Sequence, residues 1–482
     1  MSRIQSIPTD IILKILDGES IEDIVALAQA TSLCYESAKT IRSLWLNAHD
    51  TVDISILAGH TIHTIPVEYI FALALRCVHL RRKLDSSLCT PKHFHPLFRY
   101  VDSYWDNRLA LMSIPGSRFL IVHIEDRLYV LEPFASLSDL TSLDPLLRTD
   151  GNIIGCDLET VGNGDVVLAV LYGSRSDGER RDVELISLSF PPDVTSFTHN
   201  RVDRCTISCA PVSIAIRSGL ILSRTHSFSG FLLYAVDRRV GVKVTLDLPF
   251  DLIRFVLVSA KFVASIPKAS LVLSITYRTG ESVVMTVLVD IPDLPQTPLD
   301  SSSREPHIIW TPVKLGLTHT YLHPYLHPSP TISPLVDVLS EDHIPVDFLI
   351  VSDTPGNQRQ LVAIVFDKHQ NALTGVALRP RGRGNSIFLE ARQSVHSMPM
   401  YPLQVRQTST LRFLDCAIIR FLNQSRTKIL ASHFVIPPEV YEFDQAFVRH
   451  VDVLNGRLYV EISHSSNDNE ARKPRNLFVI QY

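Results

Sequence analysis

The chain has 482 residues, 45 % hydrophobic and 20 % charged, with 46 basic against 50 acidic residues for a formal charge of −4. This is an ordinary globular composition with room for one large or several medium domains; it argues against wholesale disorder and, lacking a basic excess, against a nucleic-acid partner. Seven cysteines are too sparse for a disulfide scaffold and suit reduced thiols in the cytoplasm or nucleus.

No secretory signal is expected, because Pro8, Asp10 and Lys14 interrupt any apolar leader. No apolar run reaches membrane-spanning length, so no membrane partner is expected, and the sequon Asn423-Gln424-Ser425 has no meaning without entry to the secretory route.

Three short helices are predicted in the first 46 residues. The first follows Pro8, a residue suited to a helix start, and places Ile11, Ile12, Ile15 and Leu16 on one broad face before Gly18 stops it. Ser20 with Asp23 has capping-box spacing and opens the second, whose apolar stripe is Ile24, Leu27 and Ala28. The third covers residues 33–41 and leads into Leu44-Trp45. A longer helix follows Pro66, with Ile70, Leu73, Ala74 and Cys77 on one face and Arg81, Arg82 and Lys83 as a solvated, dipole-matched end.

Residues 47–105 read as a helical linker region. From 106 onward the texture is β. Strands at 119–124 and 128–131 flank Glu125-Asp126-Arg127, and strands at 270–277 and 282–289 flank another polar turn. Strands at 348–352 and 361–366 do the same, and Asn455-Gly456 marks a hairpin near the end. Residues 291–335, rich in Pro, Ser, Thr and His, read as a long loop around one short strand at 308–313.

The expected fold is therefore α+β, mainly β: helical at the N-terminus, then a large all-β domain over 106–482. Four-stranded blades take about 40–50 residues, so a degenerate propeller of about six to eight blades fits, and two packed β domains are the alternative.

Chemistry-bearing residues are few. Cys205 and Cys209 on a strand would lie ~13 Å apart at about 3.3 Å per residue, which fits buried strand thiols and not a metal or disulfide pair. His319, His323 and His327 recur every four residues, but Pro324 and Pro328 break the helix that would align them. No metal site and no cofactor is expected. Arg379, Arg381 and Arg383, spaced by Pro380 and Gly382, form the best candidate for holding an acidic or phosphorylated target outside the N-terminus, although a solvated loop explains them as well. The sequence has no P-loop, no G-x-G-x-x-G after a strand, no H-E-x-x-H and no G-x-S-x-G, so a non-catalytic protein is expected.

The first 46 residues resemble the F-box family. Ile7-Pro8-Thr9-Asp10 stands where the family has Leu-Pro, a polar residue and an acid, and leads into Ile11-Ile12-Leu13-Lys14-Ile15-Leu16. Ile21-Glu22-Asp23-Ile24 matches the acidic second-helix start, Leu27-Ala28-Gln29-Ala30-Thr31-Ser32 the following stretch, and Leu44-Trp45 the closing pair. The chain departs from the pattern at Ile7, at Ser32-Leu33 where Cys-Arg is common, and at Cys34-Tyr35 where many members carry Trp.

The remainder resembles fungal F-box proteins with an arginine-rich helix and a β-propeller-like domain. The resemblance implies a substrate-recruiting adaptor of a Skp-cullin-F-box ubiquitin ligase. Its partners would be a Skp-type adaptor, a cullin through it, and an unknown protein target. Ile7, Pro8, Ile11, Ile12, Ile15 and Leu27 are the implied Skp contacts. The alternative is a scaffold or interaction protein with an F-box but no target turnover.

Overall fold

The computed structural model describes residues 8–51, 54–84, 89–101, 109–134, 140, 143–173, 180–191, 196–207, 210–225, 230–247, 255–263, 270–279, 281–295, 308–316, 319–323, 343–353, 358–378, 386–389, 405–407, 412–421, 427–435, 437, 445–452, 455–463 and 474–482. It is mainly β, with a helical unit at the N-terminus. The helices are α1 (Thr9–Leu16), α2 (Ile21–Ala30), α3 (Ser32–Thr40), α4 (Arg42–Leu46) and α5 (Val67–Leu84).

One apolar cluster runs through all five helices. Ile12 and Leu16 of α1, Ile24 and Val25 of α2, Ala38 of α3, Trp45 of α4, and Ile70, Phe71, Ala74 and Val78 of α5 are all buried in it. The predicted boundary at residue 46 therefore cuts through a shared core. A unit that short buries little of its own surface, and α5 supplies the missing wall.

The region expected to be a helical linker also ends early. Residues 93–101 form a strand, β1 (His93–Val101), which pairs antiparallel with the last strand of the chain. Pro96 obscures it in the sequence, and the structure accommodates that proline at a register shift on an edge strand, where a missing N–H costs little.

The other strands follow in sheets that keep chain order. β2 (Ala110–Ser113), β3 (Leu120–Ile124), β4 (Arg127–Leu131) and β5 (Leu147–Arg148) make the first. β6 (Ile153–Gly162), β7 (Asp165–Gly173), β8 (Arg181–Ser189) and β9 (Thr198–Ile207) make the second. β10 (Ala215–Arg217), β11 (Leu220–Arg224), β12 (Gly230–Ala235) and β13 (Val240–Asp247) make the third, and β14 (Phe255–Val263), β15 (Ser270–Thr279) and β16 (Glu281–Asp290) begin the fourth.

After β16 the chain returns to the third sheet as β17 (Ile309–Gly316), parallel to β13, then completes the fourth sheet as β18 (His319–His323). The stretch read as a long loop with one short strand thus carries two paired strands. The fifth sheet is β19 (His343–Asp353), β20 (Gln358–Asp367) and β21 (Ala372–Leu378). The sixth is β22 (Ser386–Leu389), β23 (Val405–Gln407), β24 (Arg412–Phe421) and β25 (Thr427–Val435). In the seventh, β26 (Gln445–Asp452), β27 (Arg457–Ser463) and β28 (Pro474–Gln481) join β1.

Apolar clusters glue neighbouring sheets together. Ile121 and Leu128 of the first pack with Leu168 and Ile186 of the second. Ala169 and Val183 of the second pack with Leu232 and Tyr234 of the third. Val242 and Val244 of the third meet Leu273 and Val287 of the fourth, and Val272 and Leu288 of the fourth meet Ile364 of the fifth. Leu97, Tyr459 and Val479 of the seventh pack on Leu120, Val122 and Tyr129 of the first.

The helical unit docks on equivalent turns of three of these sheets. Ala58 N–H donates to Gly116 O (3.3 Å) in the β2–β3 turn, and Gly164 N–H in the β6–β7 turn donates to Gly59 O (3.0 Å). Arg76 Nη2 of α5 donates to Asn455 Oδ1 (2.6 Å) in the β26–β27 turn. Gly59 and Gly116 have positive φ, and a Cβ on either would fall within 2.1 Å or less of backbone atoms across the seam, so no larger residue permits this approach.

Candidate functional site: the exposed face of the first helix

Pro8 is the N-cap of α1, and its carbonyl accepts the N–H groups of Ile11 (3.0 Å) and Ile12 (3.3 Å). Gly18, at φ 80°, turns the chain back beyond the end of the helix. Successive helical side chains are about 100° apart, so the four apolar residues divide. Ile12 and Leu16 enter the core at 3 % and 5 % exposure, whereas Ile11 and Ile15 stand in solvent at 45 % and 55 %. Pro8, the N-cap, is also exposed.

This corrects one of the expected contacts, Ile12. Ile12 is an internal residue, turned about 100° from Ile11 and packed into the core that α2–α5 complete. Leu27 packs on the helical core but is only half-buried, so part of its side chain stays accessible. Ile7 lies outside the described residues, as do Arg379, Arg381, Arg383, Cys209 and His327.

The site rests on a firm base. Ser20 accepts the N–H of Asp23 (3.1 Å) to cap α2, and Thr31 accepts that of Cys34 (3.1 Å) to cap α3. Asp50, buried at 3 %, accepts the Ile21 N–H at the start of α2 (2.7 Å) and pairs with Arg81 of α5 (2.6 Å). Arg81 is therefore not part of a solvated helix end, whereas Arg82 is exposed and pairs with Glu22 (2.7 Å). Spacing cannot reveal the Asp50–Arg81 pair, since it is made only when α5 packs on α2. Trp45 Nε1 donates to Ala38 O (2.7 Å), and its ring meets Phe71 at a 6.3 Å centroid separation. Tyr35 is also exposed, braced edge-on by Phe71 (5.2 Å) with Lys39 Nζ over its ring (5.0 Å).

Elsewhere, several residues that invite chemistry hold structural positions. Ser113 Oγ lies 2.8 Å from His450 Nε2, and the Ser113 N–H donates to the same nitrogen (3.2 Å). Burial lowers the His450 pKa to about 4, so the ring is neutral and its lone pair is committed to holding β2 against β26. Burial pushes the Cys205 thiol up to about 12, making it an inert core residue. His319 and His323 sit at opposite ends of β18, opposite Leu288 and Val284. Asp126, in the β3–β4 turn, is buried at 8 %.

Among the described residues no group of three His, Cys, Asp or Glu side chains could hold a metal ion, and no helix is long and apolar enough to cross a membrane.

No family model matches the chain, and no curated protein matches it. Among solved structures it is similar to a subtype N10 neuraminidase-like protein of influenza A from a little yellow-shouldered bat. The identity is 10 % over 81 % of this chain and 98 % of that one, with a TM-score of 0.30. It is also similar to extracellular domains 1–2 of Drosophila Semaphorin 1b, at 9 % identity over 81 % of this chain and 88 % of that one, with a TM-score of 0.25.

Proposed function

We propose that the chain is an F-box protein: a non-catalytic, substrate-recruiting subunit that docks to a Skp-type adaptor and through it to a cullin, while the β domain holds a protein target in the cytoplasm or nucleus. The observation that carries this reading is the face of α1, where Pro8, Ile11 and Ile15 are exposed on a helix whose opposite face is locked into a closed core. Exposed aliphatic residues clustered on a well-packed element suit a surface that another protein covers. The sequence resemblance names that partner.

The β domain is read as a degenerate seven-bladed propeller. The support is the chain order of the sheets, the apolar packing that links the first five in succession and the seventh to the first, and the pairing of β1 with β28, which joins the two ends of the β region. In this reading the helical unit covers turns at one end of three blades, and the rest of the β surface serves the target.

The test is affinity purification of the full-length protein beside Ile15→Asp, with partners identified by mass spectrometry. A charge facing an apolar interface is costly, so Ile15→Asp is expected to lose the Skp-type adaptor and cullin while staying folded. Retention of both by the folded variant removes Ile15 from the interface, and recovery of neither by the wild type overturns the ligase reading.

A further inference from the structure

We propose that the outer edge of β13 is a strand-accepting site, filled in cis by β17, that can take an extended segment of another protein with the same side-chain pattern. The proposal is independent of the role of the N-terminal helices.

β17 differs from the rest of its sheet. The other four strands follow one another antiparallel, whereas β17 arrives after the intervening β14–β16 hairpins and pairs parallel, from Val240↔Ile309 to Asp247↔Gly316. Parallel pairing is somewhat weaker per residue. None of the side chains from Ile309 to Leu315 is buried, and Ile309 is 61 % exposed, whereas β13 buries Val240, Val242, Val244 and Leu246. A strand with little buried apolar surface is among the first to open.

The edge beneath it is shaped for an occupant. Tyr234, Gly241 and Trp310 are in register across β12, β13 and β17. A Cβ on Gly241 would lie 2.7 Å from Trp310 Cζ3 and 2.8 Å from Tyr234 Cβ, so glycine leaves a slot that the indole fills. The indole meets Tyr234 edge-on at 5.7 Å, and Ile308, just before the strand, is buried on the same side. Val313 and Leu315 pack on the opposite face, against the core shared with the fourth sheet. The matching occupant is an extended segment with the pattern aliphatic-x-Trp-x-x-aliphatic-x-aliphatic. Backbone bonds to β13 supply affinity, and the Gly241 slot supplies selectivity, as in other strand-addition modes.

The experiment measures binding of a fluorescent peptide of residues 308–316 to full-length wild type and to full-length Trp310→Ala. An occupied site lowers apparent affinity by the fraction of molecules that are open, so the variant is expected to bind at least about tenfold more tightly than wild type. A peptide with alanine in place of its tryptophan should fail to compete. A folded variant that binds no peptide overturns the proposal, as does equal binding by wild type and variant. Should Trp310→Ala fail to fold, amide exchange on the wild type decides. The β13–β17 amides are expected to exchange at least about tenfold faster than those between β11 and β12, and equal protection overturns the proposal.

Discussion

Two buried histidines set a pH dependence at the scale of single residues. Burial lowers His123 and His450 to about 4, against about 6.5 for a free imidazole. Between these values the unfolded chain binds protons that the folded chain does not, so stability is complete above about pH 6.5 and falls as the pH drops toward 4. Asp157 acts in the opposite sense. Burial raises it to about 7 despite the Ile216 N–H it accepts (2.9 Å), so its contribution is present below about pH 4 and is lost as the pH rises through 7. Thermal melts from pH 7 to pH 4 should show wild type losing stability, His450→Gln losing less, and Asp157→Asn losing more. A His450→Gln curve parallel to wild type would show that this histidine does not titrate on unfolding.

For the elements, the shared helical core decides what can be removed. A deletion of residues 1–46 uncovers Ile70, Phe71, Ala74 and Val78 of α5, so the truncated protein should aggregate or bind a hydrophobic dye, which light scattering or dye fluorescence will show. Asp50→Ala takes away the carboxylate that pairs with Arg81 and bonds to the Ile21 N–H, and should cost the helical unit about 3 kcal/mol in chemical denaturation. Glu22→Ala, which breaks only the exposed pair with Arg82, should cost under about 1 kcal/mol.

The same elements show what was legible in the sequence. Periodicity located α1, α2, α3 and α5, Ser20 announced its cap, and polar turns located hairpins such as β3–β4 and β15–β16. Local signals could not divide Ile11 from Ile12, since the direction of the core is a tertiary fact. They also could not find β1, whose partner β28 lies at the far end of the chain, or the partner of β17, which returns to a sheet the chain had already left.

For the whole molecule, the seventh sheet is the joint between the start and the end of the β region, and a buried charge cluster crosses all of it. Glu461 of β27, fully buried, accepts from Arg449 of β26, Arg475 of β28 and Tyr100 of β1, so each strand of the sheet contributes one residue. The register shift between Val448 and His450 leaves Arg449 outside the regular ladder, as a bulge does when it re-aims a side chain. Burial, and then the charge of Glu461, push the Tyr100 phenol well above its usual range, so it stays protonated as a donor. Glu461→Leu removes the buried carboxylate that both arginines and the Tyr100 hydroxyl share and should destabilise the protein by about 3 kcal/mol, seen as a lowered denaturation midpoint. Adding Arg449→Met and Arg475→Met removes the two positive charges that faced Glu461 and should recover part of that loss, because replacing a buried ion cluster by apolar groups is often close to neutral. If the triple variant is no more stable than Glu461→Leu, the cluster acts by selecting the β1–β28 register and not by charge balance. Amide exchange would then show β1 exposed while the first and second sheets stay protected.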